Sequence, residues 1–246
     1  MSAEPIILYD LPSQAPCKCW SLNPWKTRLL LNFKGLDYKT EWVEYPDIKP
    51  KFQDHIPLAD DVGIYTIPTV RTTDGTYIMD SLKIAEYIEE KYPTPSIHLD
   101  SPYVKKVVDQ ISASFQFGKG VRGIFFPLVP ERLLNPRSAE FWYETRAKII
   151  GKPLSEITED ERGDKAWEYA TEPVKEITRL LRENSEGPFF EGNTVTYADF
   201  YWAGYLLFWK RIGDDTFQKL LSISGDGDVH LKLLEAVKPW SERDDH

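Results

Sequence analysis

At 246 residues the chain has room for one large domain or two ordinary ones, and 41% apolar with 28% charged residues is the balance of a soluble globular protein. A formal net charge of −9 without any long Lys/Arg cluster excludes the basic face of a nucleic-acid binder, and no apolar stretch approaches the roughly 20 residues of a membrane-spanning helix. Cys17 and Cys19, one residue apart, make neither a good local disulfide nor a secreted framework, and with no leader-like N-terminus and no Asn-x-Ser/Thr sequon the expected location is a reducing cytosol.

Residues 5–10 (Pro-Ile-Ile-Leu-Tyr-Asp) predict a short buried strand bounded by Pro and a polar loop. The loop 11–22 carries Pro12, Pro16, both cysteines and Trp20, and a helix follows from about Pro24 to Phe33, closed near Gly35. Residues 38–45 read as a second strand, 46–65 as irregular or a short helix. Two further strands, 67–71 and 76–79, flank Thr72-Thr73-Asp74-Gly75, whose Asp-Gly step signals a hairpin. A helix over 81–92 uses Leu82, Ile84, Ala85 and Ile88 as its apolar side and ends at Pro93. The order βαβ then ββα is the mixed-sheet layout of thioredoxin-like domains, expected over about residues 1–93. The Pro-containing stretch 94–102 reads as a linker, and an all-helical domain is expected over about 103–246.

In that second part Val104, Val107, Val108, Ile111 and Phe115 form one helical stripe, and Val174, Ile177, Leu180 and Leu181 another. Between them 125–163 is irregular in pattern, with 141–150 as a candidate extra helix. Thr196-Tyr197-Ala198-Asp199 predicts a capping box at a further helix start, with Val195 and Phe200 at the staple positions; such a cap contributes about 0.5–2 kcal/mol.

Three places could carry chemistry. Ser21 stands between a strand and a helix start, where free N–H groups and the helix dipole favour negative charge, although a serine there is ordinarily an N-cap. Ile67-Pro68 precedes a strand: a trans Pro is the ordinary reading, whereas a cis one would leave the Ile67 backbone open to a peptide-like ligand. At Asp80-Ser81, Ser81 caps the next helix, or its hydroxyl and the free N–H groups hold a ligand carboxylate while Asp80 meets an ammonium group.

Taken together, Ser21 with Arg28 seven positions on, Ile67-Pro68, Asp80-Ser81 and the text Ile84-Ala85-Glu86-Tyr87-Ile88 resemble the glutathione-binding domain of cytosolic glutathione transferases. Thr196–Asp199 resembles the cap of that family's helical domain, and Ser-Leu-Asn-Pro-Trp-Lys-Thr-Arg is most similar to the fungal etherase-related class called FuA. The resemblance implies glutathione as co-substrate, no metal, a cytoplasmic homodimer, and attack by a glutathione thiolate on a hydrophobic, aromatic electrophile such as a β-aryl ether. It implies Ser21 as donor to the sulfur with Asn23 assisting, Ile67 beside a cis Pro68 pairing with the cysteinyl unit, Asp80 and Ser81 on the γ-glutamyl end, and Lys49 or His55 on the glycyl carboxylate. Ser21 would act as a donor and not as a base, because its own hydroxyl is far too weakly acidic. A free thiol has a pKa of about 8.5, and lowering it by two units takes roughly 2.7 kcal/mol, within reach of one charge-assisted hydrogen bond plus a helix end. Trp20, Phe115, Phe117, Phe125 and Phe126 are the candidate lining of the electrophile pocket between the two domains. The rival readings are a non-catalytic carrier of aromatic compounds, a regulatory protein on the same fold, and a thiol reductase using Cys19, which lies two residues out of register with the catalytic position.

Overall fold

The computed structural model describes residues 5–58, 63–116 and 119–245, and of 114–116 and 119–120 the backbone alone. Strands β1 (Ile6–Asp10), β2 (Tyr38–Trp42), β3 (Thr69–Arg71) and β4 (Tyr77–Met79) form one sheet in the order β2-β1-β3-β4. β1 runs parallel to β2, Ile6 opposite Tyr38, and antiparallel to β3, which pairs antiparallel with β4. A parallel pair needs a crossover, and helix α1 (Leu22–Phe33) supplies it, burying Leu29, Leu30 and Leu31. It starts two residues before the position at which Pro24 predicts it. At its end Gly35 takes φ +64°, a left-handed value that costs a glycine little, and the Leu36 N–H returns to the Leu31 carbonyl. β2 stops at Trp42 rather than at 45. There a short 3-10 turn (Tyr45–Asp47) leads into helix α2 (Ile48–Phe52), and the Tyr45 N–H donates to Ser138 Oγ instead of to a strand. The hairpin turns at Gly75, φ +89°, with the Asp74 carboxylate accepting from Thr72 Oγ1 and the Thr76 N–H. Helix α3 (Ser81–Lys91) completes this half, with Ile84 and Ile88 buried.

The rest is helical: α4 (Pro102–Gln116), α5 (Lys119–Arg132), α6 (Pro136–Ile150), α7 (Glu159–Arg162), α8 (Asp164–Glu183), α9 (Tyr197–Ile212), α10 (Asp214–Ile223) and α11 (Gly227–Ser241). Among the described residues no helix is long and apolar enough to cross a membrane. The segment 125–163 is thus mostly helix and not irregular. Pro127 and Pro130 lie inside α5 and mask its period, because proline reads as a helix breaker while packing holds the helix together. α9 is the buried axis, and it lies hard against α1: a Cβ on Gly204 would come within 3.0 Å of the Leu22 carbonyl oxygen. Its start carries the capping box, and buried Asp199 accepts from the Thr196 N–H (2.7 Å) and also from the Phe190 N–H (2.9 Å).

His230 ties α11 into this core. Its Nδ1 accepts from the Trp202 indole N–H (2.9 Å), which fixes the remaining proton on Nε2, 2.9 Å from Thr178 Oγ1. A second proton would face the indole N–H. Burial pushes the imidazole pKa from 6.5 down to about 4, with Asp226 only partly opposing. The folded value lies below the unfolded one, so the stabilisation is complete above pH 6.5 and is lost as the pH falls towards about 4, amounting to about 3 kcal/mol. Urea titrations should therefore show the stability gap between wild type and His230→Gln shrinking by that amount across this window; a constant gap would refute the assignment.

Candidate functional site

Ser21 occupies the N-cap position of α1, with extended backbone (φ −80°, ψ 138°), and its carbonyl accepts from the Trp25 N–H. Its hydroxyl, however, makes no capping bond, and among the described residues it has no hydrogen-bond partner. The N–H groups of Leu22 and Asn23 are likewise unpaired among the described residues, and the first turn holds no acidic side chain. Helix end and hydroxyl thus converge on one point that favours an anion.

Two cavities meet there. The larger, about 930 Å³, runs from Ser21 and Asn23 past Ile67 and Thr66 to Lys49, and its far wall is Tyr45, Phe141 and Arg146. The smaller, about 360 Å³, shares Asn23, Thr66 and Ile67 and continues to Pro68, Asp80, Ser81 and Lys26. The Ile67–Pro68 peptide is cis, and the Ile67 N–H and C=O have no backbone partner among the described residues. Asp80, not Ser81, caps α3: it sits at φ +89° and accepts from the Leu82 and Lys83 N–H groups, leaving buried Ser81 as the first helical residue. Lys26, only 3% exposed, points its ammonium at the Tyr201 ring, 3.4 Å from the centroid, and forms neither an ion pair nor a hydrogen bond among the described residues. Burial pushes its pKa from 10.5 down to about 7, against a pull from Asp80.

The structure brings Ser21, Asn23, Lys49, Ile67, Pro68, Asp80 and Ser81 onto these two cavities. It does not bring His55 there; that ring is stacked on Tyr77 at 4.5 Å. Nor do Trp20, Phe125 and Phe126 line either cavity. Trp20 is buried against Trp142 and Phe208 with its indole N–H on the Pro12 carbonyl, and Phe125 and Phe126 pack edge-on with each other and with Phe208 and Trp142. Phe117 and the Phe115 side chain lie outside the described residues. Aromatics at helical spacing went to the core, while the pocket drew its rings from a 3-10 turn and from α6. Sequence reasoning missed Tyr45, Phe141, Arg146 and Lys26. Only Lys26 left a signal, a lysine on the inner face of a helix that is otherwise buried. Cys19 is fully buried, and burial beside Asp10 pushes its thiol pKa well up, the reverse of what a nucleophilic sulfur needs.

Comparison with known proteins agrees with this fold. Residues 20–91 match the family model "Glutathione S-transferase, N-terminal domain", and residues 109–240 match "Glutathione S-transferase, C-terminal domain". The glutathione S-transferase CsGST63524 of Ceriporiopsis subvermispora, solved in complex with glutathione, is 30% identical, with a TM-score of 0.84 over 99% of this chain and 100% of that one. Glutathione transferase GSTFuA3 from Phanerochaete chrysosporium is 28% identical, with a TM-score of 0.80 over 97% and 98% of the two chains. The glutathione S-transferase-like protein ustS of Aspergillus flavus is 30% identical over 97% of this chain and 92% of its own length. Both halves match the family and the likeness runs through nearly the whole length: the chain belongs to the glutathione S-transferase family, and it is similar to fungal members of it.

Proposed function

We propose that the chain transfers glutathione to an aromatic electrophile, with Ser21 as the hydrogen-bond donor that keeps the thiol ionised. The observation that carries this reading is the unused Ser21 hydroxyl at an acid-free helix start. Glutathione supplies the nucleophilic sulfur. The open Ile67 backbone pairs with its peptide unit, and Lys49 reaches its glycyl end. Ser81, Asp80 and Lys26 take the γ-glutamyl end in the smaller cavity. The electrophile, a β-aryl ether being one candidate, enters along Tyr45 and Phe141. Buried Cys19 supports no thiol-reductase chemistry. The test is a pH titration of the thiolate's ultraviolet absorbance in the protein–glutathione complex. Its midpoint is expected about two units below the free thiol's value of about 8.5, and an unshifted midpoint would sink the mechanism.

Lys26 gives an independent check. Its folded pKa lies below the unfolded one, so its cost to stability is full below about 7 and vanishes above 10.5. Lys26→Met should therefore stabilise the unliganded protein at neutral pH by about 1–3 kcal/mol in urea unfolding, yet weaken glutathione binding about tenfold. Calorimetry of wild type with S-methylglutathione, which has no thiol to ionise, in buffers of different ionisation heat should show proton uptake on binding near pH 7, because a carboxylate beside Lys26 restores its charge. Binding without proton uptake would remove Lys26 from the site.

A further inference from the structure

We infer that Arg146 selects electrophiles bearing a carboxylate on the aromatic ring, so that the large cavity is built for acidic aromatic substrates. This rests on the transferase reading for the identity of the site, though not for the binding it predicts. Arg146 belongs to α6 and, with Tyr45 and Phe141 beside it, lines the same cavity as Ser21. Its guanidinium lies 3.9 Å from the centroid of Trp142 and 5.3 Å from that of Tyr45. These rings fix its plane without neutralising its charge.

What it lacks is an acid. Arg132, Arg137, Arg179 and Arg182 each hold a carboxylate at the surface, whereas Arg146 has no ion pair among the described residues. Its one side-chain hydrogen bond among the described residues goes from a terminal nitrogen to Thr145 Oγ1, 3.0 Å away. Glu44, next to Tyr45, is already committed to Asn135 and Ser138. A guanidinium carries five N–H donors in a planar fork, and most of this one stays unspent. Burial among these rings works against its charge, and an anion beside it would offset that cost. The Tyr45 and Phe141 rings lie nearly parallel, their planes 12° apart and centroids 6.2 Å apart, on the same wall. A flat ring lying along them with a carboxylate towards Arg146 would meet both needs, with a bidentate pair at one end and apolar contact along the other.

The experiment compares naphthoate with naphthylmethanol, its neutral counterpart, by calorimetry on wild type, Arg146→Met and Arg146→Lys, each without glutathione. Wild type should bind naphthoate at least tenfold more tightly than the alcohol. Arg146→Met should lose about 30-fold for naphthoate and less than about twofold for the alcohol, and Arg146→Lys should recover part of the loss, the charge without the fork. A wild type indifferent to the carboxylate, or a Met variant that weakens both ligands equally, would overturn the inference and leave Arg146 a packing residue on Trp142. Conjugation of chloronitrobenzoate against chlorodinitrobenzene should show the same selectivity in kcat/KM. Failure of the wild-type thiolate titration would instead count against the transferase reading, because naphthoate binding is measured without the thiol.

Discussion

Arg28→Met should destabilise the protein by about 3–5 kcal/mol in urea unfolding, far more than the loss of any surface ion pair. Arg28 and Asp10 are both fully buried, with guanidinium nitrogen and carboxylate oxygen 2.9 Å apart. Removing the arginine would leave the Asp10 charge inside the core with only the Leu11 N–H (2.6 Å) and the weakly donating Cys19 thiol beside it among the described residues. The penalty comes from the stranded charge rather than from the value of the pair itself. Asp10→Leu combined with Arg28→Met should therefore recover more than half of the loss, and a single variant that costs less than about 1 kcal/mol would contradict this account. The pair also does positional work. Asp10 ends β1, and Arg28 sits in the middle of α1 and donates onward to Thr40 Oγ1 and to the Arg243 carbonyl. The C-terminal tail in turn accepts the Cys19 N–H through the Asp244 carbonyl (2.7 Å) and holds Lys18 through the Asp244 carboxylate (2.8 Å). The loop that delivers Ser21 is pinned at its start by a buried charge pair and at its end by the tail. Correctly folded Arg28→Met protein should therefore turn over more slowly per molecule as well.

This network marks where the sequence was legible and where it was not. Strand, turn and cap signals are local, so β1, the Asp-Gly hairpin at Gly75 and the Thr196 box could be read from a few neighbouring residues. The seven residues expected to hold glutathione are backbone-defined positions at loop ends, and the sheet carries them to the two cavities. The far wall is different. Phe141 and Arg146 reach it from α6, about a hundred residues from Tyr45, and the choice of which aromatic is core and which is pocket depends on how α5 and α6 cross. Phe125 and Phe126 have the same composition and spacing as a pocket wall and are nonetheless core. Likewise, the 125–163 segment read as irregular because Pro127 and Pro130 stand inside a helix that only tertiary packing could make tolerable. Lys26 and Arg146 are legible as charges from sequence, but only the three-dimensional structure reveals that neither forms an ion pair among the described residues.

Ser21→Ala is expected to lower kcat by about 10²–10³-fold, the usual cost of removing one preorganised donor from a developing or resident anion. The glutathione KM should change little, because Ile67, Lys49, Ser81 and Lys26 still line the two cavities and their positions do not depend on a hydroxyl that has no hydrogen-bond partner among the described residues. This last point makes the variant informative. A capping serine would take α1 with it when truncated, at about 0.5–2 kcal/mol, and any kinetic effect would be confounded with unfolding. Here the cap bond is absent, so Ser21→Ala should melt like the wild type while its bound thiol titrates back towards about 8.5. Loss of rate and upward thiol shift must go together, since both report the same donor. A variant that keeps its turnover, or that loses turnover with an unshifted thiol, would show that the α1 helix end alone holds the thiolate. Cys19→Ser provides the control: at a fully buried sulfur whose pKa is pushed up, the change should leave the rate and the thiol titration where they were.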